Sequence, residues 1–352
     1  MGCYVARQQV LACPLSFHKP LVDMRNLVLV DFKLDDDWSF SRILNTQGRW
    51  DVKSCVTNTP FYHTRLGTIV RYLLYFLFPL RYVLSARSYG VVLGWQQFYA
   101  LNYAFWLRLL RIRSSVRIVV MTFIYKEKKG LLGRLYHKYI RYCLTCRHVS
   151  KVICYSRAEV AMYSRLFDLP DGLVQFVPLG IEPIDSPGEV VRGDYIFSTG
   201  RSNRDYDFLV RALGNTDFAL KIVCEQHFDS LPPNVEVLHH CYGSRMYSLL
   251  KGCFCVCIPL SDRNLSSGQL VLLQAMQFGK PVLVTRSNGV VDYVVDGKTG
   301  FLVENEPDTL IVRLRELAAD ETLYCKLSSE ARRAFAGQYT QECMAWAVLR
   351  LL

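Results

Sequence analysis

Acidic residues are scarce in the first half of this chain. From Phe61 to Ser150 the one carboxylate is Glu127, set against fifteen basic residues: Arg65, Arg71, Arg81, Arg87, Arg108, Arg111, Arg113, Arg117, Lys126, Lys128, Lys129, Arg134, Lys138, Arg141 and Arg147. A cationic surface without internal partners looks outward, to an anionic interface or an anionic substrate. Long apolar runs are also missing. Between Arg71 and Arg81 the uninterrupted run is YLLYFLFPL, nine residues, where a bilayer span needs roughly twenty. The segment Ile69–Leu84 is therefore read either as lying on a membrane, apolar side chains in the acyl boundary and cations at anionic head groups, or as an ordinary core helix with solvated arginines. Zinc-finger spacing, RNP-like aromatic motifs and a basic low-complexity tail are lacking too, and this argues against nucleic acid as the partner of the basic surface.

Cysteine is plentiful, but not in a pattern that carries chemistry. Thirteen is an odd number in a chain of 352 residues, too long for a disulfide scaffold. Cys143-x-x-Cys146 falls in a helical basic segment, and Cys253, Cys255 and Cys257 alternate with Phe254 and Val256 as in a buried strand, so no metal site is expected. No basic, apolar and small-residue leader pattern precedes the first expected strand, and a reducing cytoplasm is the expected setting.

What the chain does have is alternation of strand-like and helix-like segments. Strands are expected at NLVLVDF, WDVKSCVT, YGVVLGW, RIVVMTFI and KVICYS, with helices at SFSRILNTQG and RAEVAMYSRLF between or after them. The first twenty residues show no period. After VQFVPLGIEP, proline and glycine cluster and periodicity lapses between residues 180 and 193, placing a domain boundary there. The second half repeats the alternation: YIFSTG, DYDFLVRALG, FALKIVCE, VEVLHH, SRMYSLLKG, CFCVCIPL, QLVLLQAMQFG, PVLVT and GFLVE, followed by segments helical by period. The fold class is therefore α/β, two Rossmann-like domains facing a cleft: residues 1–180, residues 181–340, and a C-terminal helix over 341–352 with packing back on the first domain as one option.

Ligands of parallel sheets bind at the carboxyl ends of strands, and three loops there stand out. STGRSNRDY offers Gly200 for a turn and Arg201 and Arg204 as multidentate cations. LSDRNLSSGQ puts Ser266, Ser267, Gly268 and Gln269 at a helix start, where unpaired amides and the helix dipole favour an anion. VTRSNGVVDYVVDGKTGFLV adds turn-forming Asn288-Gly289 and Asp296-Gly297. Surface arginines and a serine cap account for any one of these loops; three in series favour a diphosphate-bearing ligand.

With VPLGIEP, GRSNRDYDFLVRAL, SSGQLVLLQAMQFGKPVLVT and NGVVDYVVDGKTGFLV in this order, the chain resembles the GT-B-fold glycosyltransferases, most closely the large retaining family numbered four, over about residues 150 to 340. The resemblance implies a donor diphosphate held by Gly200, Arg201, Arg204, Ser266, Ser267, Gly268 and Gln269. It places the donor ribose at Gln274 and a hinge loop at Leu179 and Gly180. It implies no metal and no cofactor beyond a nucleoside diphosphate sugar as donor substrate. The family's paired glutamates fall at Ser266 and Gln274, neither an acid. The N-terminal strand-end loops GWQQFY and FIYKEKKG lack the histidine that family members often carry, and His63 stands alone, so catalytic residues are unassigned. The expectation is a glycosyltransferase acting on a glycan or lipid-linked acceptor in polysaccharide or cell-envelope assembly, cytoplasmic and peripheral at the inner face of the cell membrane. Its rivals are a degenerate nucleotide-sugar-binding protein without turnover and a nucleotide-sugar epimerase.

Overall fold

The computed structural model describes residues 24–57, 59–184 and 188–352. The first half runs β1 (Arg25–Val30), α1 (Ser39–Asn45), β2 (Trp50–Ser54), α2 (Arg65–Leu77), α3 (Leu80–Val83), β3 (Tyr89–Gly94), α4 (Gln97–Leu109), β4 (Arg117–Val120), α5 (Gly130–Leu144), β5 (Val149–Cys154), α6 (Arg157–Phe167) and β6 (Val174–Phe176). The second runs β7 (Tyr195–Thr199), α7 (Tyr206–Leu213), β8 (Ala219–Val223), β9 (Val235–Leu238), α8 (Ser244–Gly252), β10 (Cys255–Ile258), α9 (Gln269–Gln277), β11 (Val282–Thr285), β12 (Phe301–Val303), α10 (Pro307–Ala319), α11 (Glu321–Gln338) and α12 (Gln341–Leu349).

Every strand pair is parallel. Helices cover both faces of each sheet, which is why the strands are apolar throughout rather than alternating with polar residues. Along β1, Leu27 and Leu29 enter one core while Val28 and Val30 enter the other. Along β10, Val256 and Ile258 face one core and Cys255 and Cys257 the opposite one. Cys253, Cys255 and Cys257, like Cys143 and Cys146, are thus core residues, and burial pushes the Cys143 thiol up to about 12. No cluster of His, Cys, Asp and Glu able to hold a metal occurs among the described residues.

Strand order decides where ligands can bind. The second sheet is ordered β12-β11-β10-β7-β8-β9, so chain direction reverses between β7 and β10; the first is ordered β2-β1-β3-β4-β5-β6 and reverses between β1 and β3. At such a switch point the two following loops diverge to opposite faces and leave a crevice beyond the strand ends.

The halves are tied together at one side of the cleft. Tyr293 donates to the Tyr155 carbonyl (2.9 Å) and accepts from the Leu179 amide (2.9 Å). Ser156 donates to the Asn288 carbonyl (2.6 Å), and Asp292 accepts from the Arg157 amide (2.8 Å). The helix α12 crosses back to the first sheet, where Met344, Ala345 and Val348 share a core with Val28, Val30 and Phe40.

Two segments differ from the sequence reading. GWQQFY is not wholly a loop: Gln97 opens α4, its side chain exchanging hydrogen bonds with the Ile124 backbone. Arg65–Val83, which includes α2 and α3, is 19 residues long and, by length and composition alone, apolar enough to cross a membrane. Counting uninterrupted apolar residues missed this, because Arg71 and Arg81 break the run without changing its overall character. In the fold Tyr75, Phe78 and Val83 anchor the segment in the first core, while Leu66, Ile69, Leu73 and Leu77 stay exposed along one stripe of α2.

Candidate functional site

A cavity of about 590 Å³ opens between the two sheets at the β7/β10 switch point. Nine of the ten residues singled out from the sequence line it: Leu179, Gly200, Arg201, Arg204, Ser266, Ser267, Gly268, Gln269 and Gln274. Gly180 does not. It is buried against α12, where a Cβ would sit 2.3 Å from the Thr340 carbonyl oxygen, so this glycine serves close packing beside the cavity.

The loop after β7 is built around Arg204. Its Nε donates to the Thr199 carbonyl (3.1 Å) and a terminal nitrogen to the Ser202 carbonyl (2.9 Å). Gly200, at φ +138°, leaves room for it, since a Cβ there would meet the guanidinium at 2.4 Å. The two arginines therefore differ. Arg201 is exposed and stacks over the Tyr242 ring, 4.6 Å from its centroid, while Arg204 is half-buried and spends part of its donor set on its own loop. Asn203, which the sequence reading passed over, links this loop to the next: in left-handed conformation (φ 56°), its side chain donates to the Asp262 carbonyl and the Ser267 hydroxyl (2.8 and 2.7 Å) and accepts from the Asp262 amide (2.7 Å).

Gly268 caps α9 at φ 91°, and the apolar Ile258 and Leu260 lie beneath it. The helix's first amides have no intrahelical acceptors, so they face the cavity as anion donors. Gln269 donates to the Ser266 hydroxyl (2.6 Å) and Gln274 to the Tyr247 hydroxyl (3.1 Å). Of the three loops, the third does not line the cavity. Gly289 packs against the backbone of Ser266 and Ser267 from behind, and the same loop carries the interdomain bonds of Asn288, Asp292 and Tyr293. Lys280, in the turn after α9, is buried outside the cavity lining and donates to the carbonyls of Val191 and Cys253 (2.5 and 2.7 Å).

The structure adds an acid. Glu159, on α6 of the first half and 4% exposed, lines the cavity opposite Ser266. Tyr163 donates to it (3.3 Å) while accepting from the Tyr125 amide (3.1 Å). Burial raises its carboxyl to about 7, against the pull of its hydrogen bonds. In sequence Ser156-Arg157-Ala158-Glu159 reads as a capping box, a local pattern that hides a second use. The side chain of His63 lies outside the described residues.

Cations and helix-end amides converging on a crevice at a switch point have the chemistry to hold an anionic ligand. Residues 197–334 match the family model described as Glycosyl transferases group 1. The chain is 29% identical over 83 residues to the lipopolysaccharide core biosynthesis glycosyltransferase LpsE of Rhizobium meliloti, covering 23% of this chain and 24% of that protein. It is 25% identical over 146 residues to an uncharacterized glycosyltransferase of Methanocaldococcus jannaschii, covering 39% of this chain and 40% of that one. The matched stretches thus span about a quarter and two-fifths of these curated relatives. The Anabaena HepE protein, solved in complex with UDP-glucose, superposes with a TM-score of 0.62 at 14% identity, covering 93% of this chain and 99% of that one. The likeness spans both sheets, so the fold is the pair of Rossmann-like domains of GT-B proteins, with the matched segment in the second of them.

Proposed function

We propose that this chain is a glycosyltransferase that moves a sugar from a nucleoside diphosphate donor to a glycan or lipid-linked acceptor held by the first half. The observation that carries this reading is the meeting of Arg201, Arg204 and the α9 amides around one cavity at the β7/β10 switch point. In this role Arg201 and the amides of Gln269 and Leu270 bind the diphosphate, Ser266 and Ser267 add hydroxyl donors, and Gln274 hydrogen-bonds the ribose. Cations and dipoles fixed around the departing diphosphate stabilise charge that develops in the transition state, so transfer with retention needs no nucleophile from the protein. The bound UDP-glucose of HepE and the lipopolysaccharide-core role of LpsE support a nucleotide-sugar donor and a place in envelope or polysaccharide assembly.

The first half supplies a membrane-facing surface in this reading. Leu66, Ile69, Leu73 and Leu77 on α2 and Leu131, Leu132 and Leu135 on α5 are exposed, with Arg65, Lys128, Lys129, Arg134 and Lys138 among or beside them. Apolar side chains of this size in two clusters, flanked by cations, suit the interface of an anionic bilayer, with the protein peripheral on the cytoplasmic side.

One observation favours a second reading, binding without turnover: positions 266 and 274 hold a serine and a glutamine, and Gln274 is already bonded to Tyr247. Calorimetric titration with UDP, GDP, ADP and their sugars, followed by donor hydrolysis and transfer assays, separates the two. Micromolar affinity for one nucleotide, reduced about tenfold in Arg201→Ala, or about 1.4 kcal/mol, supports the donor site. Binding with no consumption of donor in the presence of lipid and glycan acceptors would favour the non-catalytic reading, and no binding to any nucleotide would defeat both.

A further inference from the structure

A second cavity, of about 560 Å³, lies in the first half between α2, α4, α5 and the loop after β4. Its volume falls in the range of ligand cavities, roughly 300–1,000 Å³. Three features define what it can hold. First, the walls are ring faces: Tyr72 and Phe76 of α2, Phe98 of α4, and Tyr136 and Tyr139 of α5. Second, Asn102 and the hydroxyls of Tyr75 and Tyr139 are already paired. The Tyr139 hydroxyl donates to Asn102, Asn102 donates to the Tyr75 carbonyl (2.9 Å), and the Tyr75 hydroxyl is bonded to Asp31 and Gln96 (3.5 and 3.3 Å). With those groups committed and rings making up most of the lining, a sugar entering here would exchange much of its water for ring surface, whereas an apolar chain loses nothing. Third, two cations line the site in the loop after β4, Lys126 and Lys128, the latter over the Tyr136 ring at 4.4 Å.

The cavity has two connections. Ile124 lines it and also lines the cavity between the sheets, so the two share a wall. The helices that form its sides, α2 and α5, are those that carry the exposed leucines, Leu132 at 78% exposure among them. The cavity thus lies beside helices with an apolar exterior on one side and shares Ile124 with the cavity between the sheets on the other.

We propose that this cavity binds the apolar chain of a phosphate-linked lipid acceptor, with the phosphate at Lys126 and Lys128 and the acceptor glycan reaching across Ile124. The inference rests on the glycosyltransferase reading for the acceptor role, but the cavity and its lysines stand independently of it.

The test uses the full chain and soluble probes below their aggregation limit. Farnesyl phosphate and dodecyl phosphate are titrated by calorimetry, with farnesol and inorganic pyrophosphate as arms that lack the anion or the chain. The proposal expects micromolar binding of at least one chain phosphate, about tenfold or more above farnesol and pyrophosphate, and a loss of about tenfold in Lys126→Glu/Lys128→Glu. A preference between the two chains distinguishes an isoprenoid from an acyl lipid. Leu73→Glu/Leu132→Glu should leave this affinity unchanged if the chain enters the cavity; an equal loss there would mean that the probe sits on the outer face and would overturn the proposal. So would chain-phosphate binding insensitive to the lysine reversal, or none by protein that still binds its nucleotide. Chain-phosphate binding by protein that binds no nucleotide would keep the cavity assignment and sink the glycosyltransferase reading.

Discussion

At the carboxyl edge of the second sheet the chain turns its donors inward, onto a cavity braced by Asn203 and backed by Gly289. In the first half the reverse holds: the leucines of α2 and α5 and many of the basic side chains face outward, and the cavity within is lined mostly by rings, with Asn102 and the Tyr139 hydroxyl already paired. The two halves share parallel topology and helix coverage, so the difference lies in what each does with its loops and helices. The second is specialised for a charged, hydrogen-bonding ligand whose geometry must be fixed. The first is suited to a partner defined by apolar area and charge sign, for which position along a helix matters more than loop geometry.

The largest expected effect tests whether these roles separate. Leu73→Glu/Leu132→Glu replaces two exposed leucines with charges on the two helices, removing about 1.5–3 kcal/mol of apolar burial at a bilayer for each. The vesicle partition coefficient read by co-sedimentation should fall by about a hundredfold or more, with UDP-sugar affinity unchanged. Equal losses in both measurements would show that the halves are not functionally distinct.

Gly200→Ala strikes the other side. A Cβ at 2.4 Å from Arg204 displaces the guanidinium from the Thr199 and Ser202 carbonyls, and the positive φ is strained for alanine. Nucleotide affinity should drop by about tenfold or more, the scale of a lost charge-assisted contact, while vesicle binding stays as in the parent. Asn203→Ala should have a smaller effect of the same kind, several-fold, because it loosens the link between the two loops without displacing a cation. Calorimetry on both variants orders them; a larger loss in Asn203→Ala would mean that loop linkage outweighs the Arg204 seat.

What the sequence revealed follows the same division. Ser266 to Gln269 could be read because a helix start is a local event: small residues, then a glycine, then apolar periodicity. The alternation of strands was legible because burial on both faces leaves continuous apolar runs such as Leu27–Val30. The ring-lined cavity was not, since Tyr72, Phe98 and Tyr139 lie on three helices that only tertiary packing brings together. Asn288-Gly289 was read as ligand-binding because turn chemistry says where the backbone bends and not which neighbour it packs against. Arg204 could be read as a cation, but its two backbone acceptors could not be foreseen from its spacing.

Glu159 escaped for a related reason, and it carries the smallest predicted effect. Its burial depends on the second half closing over α6, which nothing local to Ser156–Glu159 encodes. With its carboxyl raised to about 7, it is neutral in mildly acidic solution and places a negative charge opposite the Ser266 turn above that pH. Affinity for a nucleotide sugar, whose diphosphate does not titrate in this range, should therefore fall several-fold from about pH 6 to about pH 8 as like charges face each other across the cavity. Glu159→Gln should flatten the profile at the higher affinity. Stability follows the same proton: because the folded-state value lies above the ordinary 4.5, the folded chain holds the proton more tightly than the unfolded one. The parent should thus lose stability relative to Glu159→Gln as pH rises from about 4.5 to about 7 and level off above, readable by thermal unfolding without any ligand. A flat stability difference with a sloping affinity would move the titrating group to another residue of the cleft, whereas slopes in both that vanish in the variant assign it to the one acid that the first half contributes to the cavity between the sheets.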